Sequence, residues 1–242
     1  KIIVINKKKY GLHWLNIWKS CIFKKWDLVV DMRSSITAYF LFTKSRKVFK
    51  GHDNSHKIIQ FTNFLNTSKK ILPYIWSDAI DEAESKKKIK TEGPFIAVAP
   101  YSNWKQKDWS IEKYSELFKN DFFKNYTLIF TGISKDILNV EKFNKLINDP
   151  SLSIINLFDW GNLRHMIPIF KKCNFFIGSD SGLMHLAAST KCKTFALFGP
   201  TNEIVYGPWG DHKVIKSLEY PASDDPLNLS VEKVLNTIKK EI

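Results

Sequence analysis

Four residues suited to holding an anion fall within six positions of one another: Asp180, Ser181, Gly182 and His185 sit at the only turn between two apolar segments, 174–177 and 194–198. A helix reading over 183–189 puts that turn at a helix start, where free amides point at whatever lies beyond and attract phosphate oxygens. Gly182 permits close backbone approach. Ser181 and His185 are spaced i, i+4 and so share a face. Asp180 has two readings: an N-cap that accepts from the amides of Gly182 or Leu183, or a direct ligand of the bound group. A second cluster follows another apolar run, 95–99. Its Ser102, Asn103 and Lys107 would deliver two hydrogen-bonding groups and an ammonium to a diphosphate.

Other chemistries are poorly served. The Gly-x-x-x-x-Gly-Lys loop of nucleoside triphosphatases and the Gly-x-Gly-x-x-Gly turn of dinucleotide enzymes are both absent, as is His-Glu-x-x-His. His52 and His56 flank Asp53 in an expected loop, a weak metal candidate, and no metal site or cofactor is assigned. Gly178 to Gly182 has the form of a nucleophile elbow with Asp180 in the serine position, the mark of an α/β-hydrolase. That enzyme needs a later acid and a later histidine, and only His212 lies downstream.

The elements that must position these residues alternate. Strands are expected at 95–99, 126–131, 153–157, 174–177 and 194–198, and helices at 109–119, 136–147, 163–172, 183–189 and 231–240. Ser110 is the expected N-cap of the first helix. Strands this apolar, separated by helices, predict a doubly wound parallel sheet covered on both faces. In such sheets ligands sit beyond the carboxyl ends of the strands. Polar residues follow all five: Ser102 to Lys107, then Gly132 with Ser134 and Asp136, then Asp159, then Asp180 to His185, then Thr201. The N-terminal part is expected to repeat the pattern, with strands at 1–5, 27–30 and 47–49 and helices at 12–23 and 34–42. The charged stretch 81–92 reads as a linker, dividing the chain into 1–90 and 91–242.

At 242 residues, 44% of them hydrophobic, the chain can bury a large core. Cys21, Cys173 and Cys192 are too few and too far apart for a disulfide framework, which suits a cytoplasmic setting. No apolar run reaches 18 residues. The net charge is +13, and residues 1–50 hold twelve Lys and Arg against two Asp. Such a basic end suits an acidic partner, whether nucleic acid, anionic membrane or phosphorylated substrate. Nucleic acid is disfavoured, because neither an aromatic-basic strand motif nor a helix-turn-helix pattern is visible. Trp14, Ile17, Trp18, Cys21 and Ile22 make one apolar stripe, which would pack on the first sheet or lie on a membrane surface.

Asp180 to Ala188, followed by Leu197 to Thr201 and then Gly207-Pro208-Trp209-Gly210, resembles the signature of glycosyltransferase family 9, the ADP-heptose:lipopolysaccharide heptosyltransferases. Ala97 to Trp109 is similar to that family's donor-phosphate loop, and Asp27 to Ser35 to a late strand and loop of its N-terminal domain. The resemblance covers nearly the whole chain. It implies a GT-B architecture of two Rossmann-like domains, the N-terminal one truncated, with residues 1–90 on the acceptor side and 91–242 binding the nucleotide-sugar donor.

It also implies inverting, metal-independent transfer of a heptose from an ADP-sugar to the lipopolysaccharide inner core, at the cytoplasmic face of the inner membrane. Ser102, Asn103, Lys107, Gly132, Asp180, Ser181, Gly182 and His185 would then bind the donor, and Arg33 an acceptor phosphate on an anionic, lipid-linked substrate. The family's general base lies in a Gly-Asp loop after its first strand, a position expected upstream of Lys1. Without that base, a non-catalytic nucleotide-sugar-binding module of the same fold is the alternative.

Overall fold

The computed structural model describes residues 2–5, 9–51, 53–67, 72–217 and 227–242. They form two compact units, Lys1–Ile71 and Leu72–Ile242. In the smaller unit, helix α1 (Leu12–Cys21) leads to strand β1 (Trp26–Asp31), and strand β2 (Thr43–Val48) to helix α2 (Lys57–Leu65). β1 and β2 pair in parallel from Trp26 opposite Thr43 to Asp31 opposite Val48. The apolar stripe of α1 is half-buried against the 3-10 turn Ile36–Phe40, and the Trp18 indole donates to the Phe40 carbonyl at 2.9 Å.

Several expectations fail in this unit, each for a local reason. Residues 2–5, the described part of the expected strand 1–5, are exposed and belong to no sheet. Apolar β-branched residues become a strand only beside a pairing partner. The expected helix 34–42 is reduced to that 3-10 turn: Ser34 sits at φ 54°, and the Asp31 carboxylate accepts from the amides of Arg33 and Ser35, which winds the chain into a turn. β2 starts at Thr43 rather than at 47, because its exposed Lys44, Ser45 and Arg46 hide the strand from a hydrophobic reading. His56 caps α2, its Nδ1 accepting from the Ile58 amide at 3.2 Å, so this member of the weak metal candidate has a structural role. His52 lies outside the described residues.

The larger unit is built on six parallel strands: β3 (Phe95–Ala99), β4 (Thr127–Gly132), β5 (Ser153–Phe158), β6 (Phe175–Ser179), β7 (Lys193–Phe198) and β8 (His212–Lys216). Their spatial order is β5-β4-β3-β6-β7-β8, so the sheet grows outward from β3, returns, and grows outward again from β6. Alternation along β3 divides the core. Ile96 and Val98 point to one face with α4 (Ile111–Phe118), α5 (Val140–Ile147) and α9 (Val231–Glu241). Phe95, Ala97 and Ala99 point to the other, with α6 (Leu163–Lys172) and α7 (Gly182–Ser189). Each large side chain buried in these faces contributes about 1.5–3 kcal/mol. Ser110 caps α4 as expected, accepting from the Lys113 amide.

The charged segment 81–92 is no linker here. Most of it is helix α3 (Ala79–Lys88), opened by a capping box between Asp78 and Asp81 and docked on α6. Its buried face is polar: Arg164 donates to the Asp81 carboxylate through Nη2 at 2.7 Å, and Ser85 Oγ donates to the His165 carbonyl at 2.8 Å. A pattern search for apolar residues cannot see such a face. The last strand, β8, escaped for the same reason, since His212 and Lys213 are exposed at the sheet edge. A short helix, α8 (Glu203–Tyr206), precedes it.

Candidate functional site

Between β3 and β6 the sheet changes its direction of growth, and the loops that follow these two neighbours leave toward opposite faces. Parallel sheets take their ligands in the crevice between such loops, and the two sequence clusters lie at this point. Ser102 to Lys107 follow β3, Asp180 to His185 follow β6, and Thr201 follows β7.

The cap of α7 is Ser181, not Asp180: its hydroxyl accepts from the Met184 amide at 3.4 Å. That choice releases the Asp180 carboxylate, which is only 7% exposed, for contacts between loops. Its Oδ2 accepts from Lys107 Nζ at 2.7 Å and from Thr201 Oγ1 at 2.8 Å. His185 Nε2 lies 4.0 Å from Oδ1. Three strand-end loops therefore meet on one carboxylate. A hydrolase nucleophile in this position would stand exposed on its turn, whereas this one is engaged in an ion pair.

The Lys107 ammonium lies 5.3 Å from the centre of the Trp104 ring as well as against Asp180. An ammonium has three donors, and the bond to Asp180 uses one of them. The amides of Gly182 and Leu183 precede the first intrahelical bond of α7. A Cβ placed on Gly182 would meet nothing within 4 Å, so the helix start is open to a ligand. A cation and these amides on either side of the crevice can bind a diphosphate and stabilise negative charge as it develops there.

The remaining expected donor residues differ in placement. Asn103 is exposed at the loop, whereas Ser102 is 6% exposed and donates its hydroxyl to the Trp104 carbonyl at 2.9 Å, shaping the loop from within. Gly132 ends β4, where a Cβ would come within 2.8 Å of the Phe158 ring, so a larger residue there would force that ring to shift. Arg33 belongs to the smaller unit, exposed, with its guanidinium 5.9 Å from the centre of the Trp14 ring. Among the described residues no group of three or more His, Cys, Asp or Glu is arranged to hold a metal ion, and no helix is long and apolar enough to cross a membrane.

Sequence reasoning noticed Thr201 at a strand end without giving it a role, and it passed over Asp108. The Asp108 carboxyl is fully buried, its Oδ1 accepts from the Ser102 amide at 2.8 Å, and desolvation pushes its pKa up to about 7 against the opposing Ser102 hydrogen bonds. The signal for Asp108 was only its place between Lys107 and Trp109.

Comparison with known proteins gives this geometry a context. The family model described as glycosyltransferase family 9 (heptosyltransferase) matches residues 39–234. Lipooligosaccharide heptosyltransferase 2 of Campylobacter jejuni is 24% identical over 271 residues, covering 99% of this chain and 83% of that protein. Its Haemophilus influenzae counterpart is 26% identical over 151 residues, 59% of this chain and 44% of that protein. Among solved structures, a family 9 glycosyl transferase from Veillonella parvula superposes with a TM-score of 0.78 at 18% identity, over 99% of this chain and 81% of that one. The Escherichia coli ADP-heptose lps heptosyltransferase II gives 0.72 at 16%, over 95% and 79%. The two structural likenesses establish the fold, an α/β architecture of the GT-B type with Rossmann-like domains.

Proposed function

The chain belongs to glycosyltransferase family 9, and from that premise we propose that it moves a heptose, or a closely related sugar, from an ADP-sugar to the inner core of a lipopolysaccharide. The observation that carries this reading is the Lys107 to Asp180 contact across the crevice between β3 and β6. Breaking the bond between sugar and diphosphate leaves charge on the diphosphate, and a nearby ammonium with helix-start amides lowers the energy of that charge. Lys107 and the Gly182 amide serve the leaving diphosphate. Asn103, Ser181 and His185 offer hydrogen bonds to phosphate or sugar, Ser102 and Gly132 shape the donor side, and Asp180 holds Lys107 in place and accepts from a sugar hydroxyl.

In this reading the cation at the leaving group is Lys107, so the transfer needs no metal. Attack by the acceptor hydroxyl on the face opposite the diphosphate inverts the anomeric centre. No described residue is assigned as the base that takes the hydroxyl proton. The smaller unit takes the acceptor, with Arg33 for one of its phosphates. Its excess of Lys and Arg favours an anionic, lipid-linked acceptor and a peripheral seat at the cytoplasmic face of the inner membrane, each basic residue near such a surface adding about 1 kcal/mol.

The test is transfer of labelled heptose from ADP-heptose to lipopolysaccharide that lacks its inner-core heptose, with the anomeric configuration of the product read by NMR. An inverted product in metal-free buffer is expected. Retention of configuration, or a requirement for a divalent cation, contradicts the proposal. Tight donor binding with no transfer in any preparation points instead to a nucleotide-sugar-binding module.

A further inference from the structure

Asp108 occupies an extended residue between Lys107 and Trp109, at φ −89° and ψ 136°, so neighbouring side chains leave the backbone on opposite sides. Lys107 reaches out to the crevice and Asp180, and Asp108 turns inward, fully buried. The bond from the Ser102 amide to Asp108 Oδ1 at 2.8 Å closes the loop that carries Ser102, Asn103 and Lys107.

Among the described residues the other carboxyl oxygen, Oδ2, and the buried Tyr101 hydroxyl have no hydrogen-bond partner, and the buried Tyr114 hydroxyl has only Ser179 beside it. Burial raises the pKa of both phenols, and the charge of Asp108 raises it further, so the three groups lie within electrostatic reach of one another. Burying an uncompensated carboxylate is costly, and the neutral acid is the cheaper form. Three further groups face it: Asp136, after β4, which disfavours its charge; Lys105, in the same loop, which favours it; and Ser102, whose hydrogen bonds also favour the charged form. Ser179, at the end of β6, stands beside Tyr114 and donates to the Pro100 carbonyl at 3.2 Å.

We propose that Asp108 is a positioning residue for the donor diphosphate, a role that rests on the donor-site reading above: its carboxyl closes the β3–α4 loop through the Ser102 amide and takes up a proton when the anionic donor enters. The diphosphate settles beside Lys107, the next residue in the chain, and its negative charge penalises an ionised Asp108. By reciprocity the donor binds more tightly when Asp108 is neutral.

Calorimetric titration of the chain with ADP-heptose between pH 6.5 and 8.5 tests this. The two phosphates of that probe do not titrate in the range. Wild-type affinity should fall by about fivefold or more as the pH rises, with proton uptake visible as different apparent enthalpies in buffers of different ionisation heat. Asp108→Asn, which mimics the neutral acid, should bind at pH 8.5 as tightly as wild type binds at pH 6.5. A wild-type profile without a slope overturns the proposal. So does an Asp108→Asn profile that keeps the slope, which would then belong to another group such as His185, or folded Asp108→Asn protein that has lost binding throughout. Should Asp108→Asn not fold, carboxyl carbon NMR of aspartate-labelled wild type decides: one resonance titrating near neutrality should move to higher pH with ADP-heptose, and no movement overturns the assignment. Lys107→Ala serves as the separate control, since undiminished binding there removes the donor site itself rather than the role of Asp108.

Discussion

Lys107, Asp180 and Thr201 form one unit although they lie 73 and 21 residues apart in the chain. The sequence made Lys107 and Asp180 visible because strand ends are where a parallel sheet exposes polar groups to a ligand. What it could not decide was the division of labour at residues 180 and 181. Asp and Ser cap helices about equally well, and only the three-dimensional path of the loops after β3 and β7 recruits Asp180 and leaves the cap to Ser181. Asp108 was harder still, because burial of a carboxyl has no signature in a single sequence. Its titration has a consequence for stability at this same scale. Its folded pKa, about 7, exceeds the usual carboxylate range, so the folded chain holds an extra proton between roughly pH 4 and 7. The stability from this group is full below that window and is lost as the pH rises through it, by at most about 4 kcal/mol. Asp149, lowered to about 2 by the Ser151 and Lys119 hydrogen bonds, acts in the opposite sense at lower pH. Comparing urea denaturation of wild type and Asp108→Asn at pH 5 and pH 8 isolates the term: the variant should be the more stable relative to wild type at pH 8. An equal difference at the two pH values contradicts the shifted titration.

The elements of the larger unit were legible wherever burial is apolar and periodic. β3, β4, β6 and β7 stand out because they are covered on both faces, and α4 because Ile111, Tyr114, Leu117 and Phe118 are buried along one side of it. Elements held by polar contacts were not legible. α3 docks through Asp81 and Ser85, and β8 lies at an edge with charged residues facing out. In the smaller unit the residues that looked most like a strand, 2–5, have no strand partner among the described residues, while the polar β2 does. Pairing, not propensity, decides there. The docking of α3 gives a prediction at this scale. Arg164→Ala leaves the buried Asp81 carboxylate without its guanidinium and should lower the stability of the larger unit by about 2 kcal/mol. An unchanged urea midpoint would mean that this pair does not hold α3.

At the scale of the whole chain, the doubly wound sheet followed from the alternation of elements, and family 9 membership from motifs spread between residues 97 and 210. The division of the chain was less legible, since a lysine-rich helix at the start of the larger unit has the composition of a linker. The net charge of +13 is a property of the surface and says nothing of the fold, but it favours every anionic participant in the proposed reaction. The most direct test of the central claim, that the crevice beside β3 and β6 receives a nucleotide-sugar diphosphate, is titration of ADP-heptose into wild type and into folded Lys107→Ala at one pH and one salt concentration. The account predicts saturable binding by wild type and a loss of tenfold or more in the variant, about 1.4 kcal/mol at the least. Equal affinity in the two proteins would contradict it.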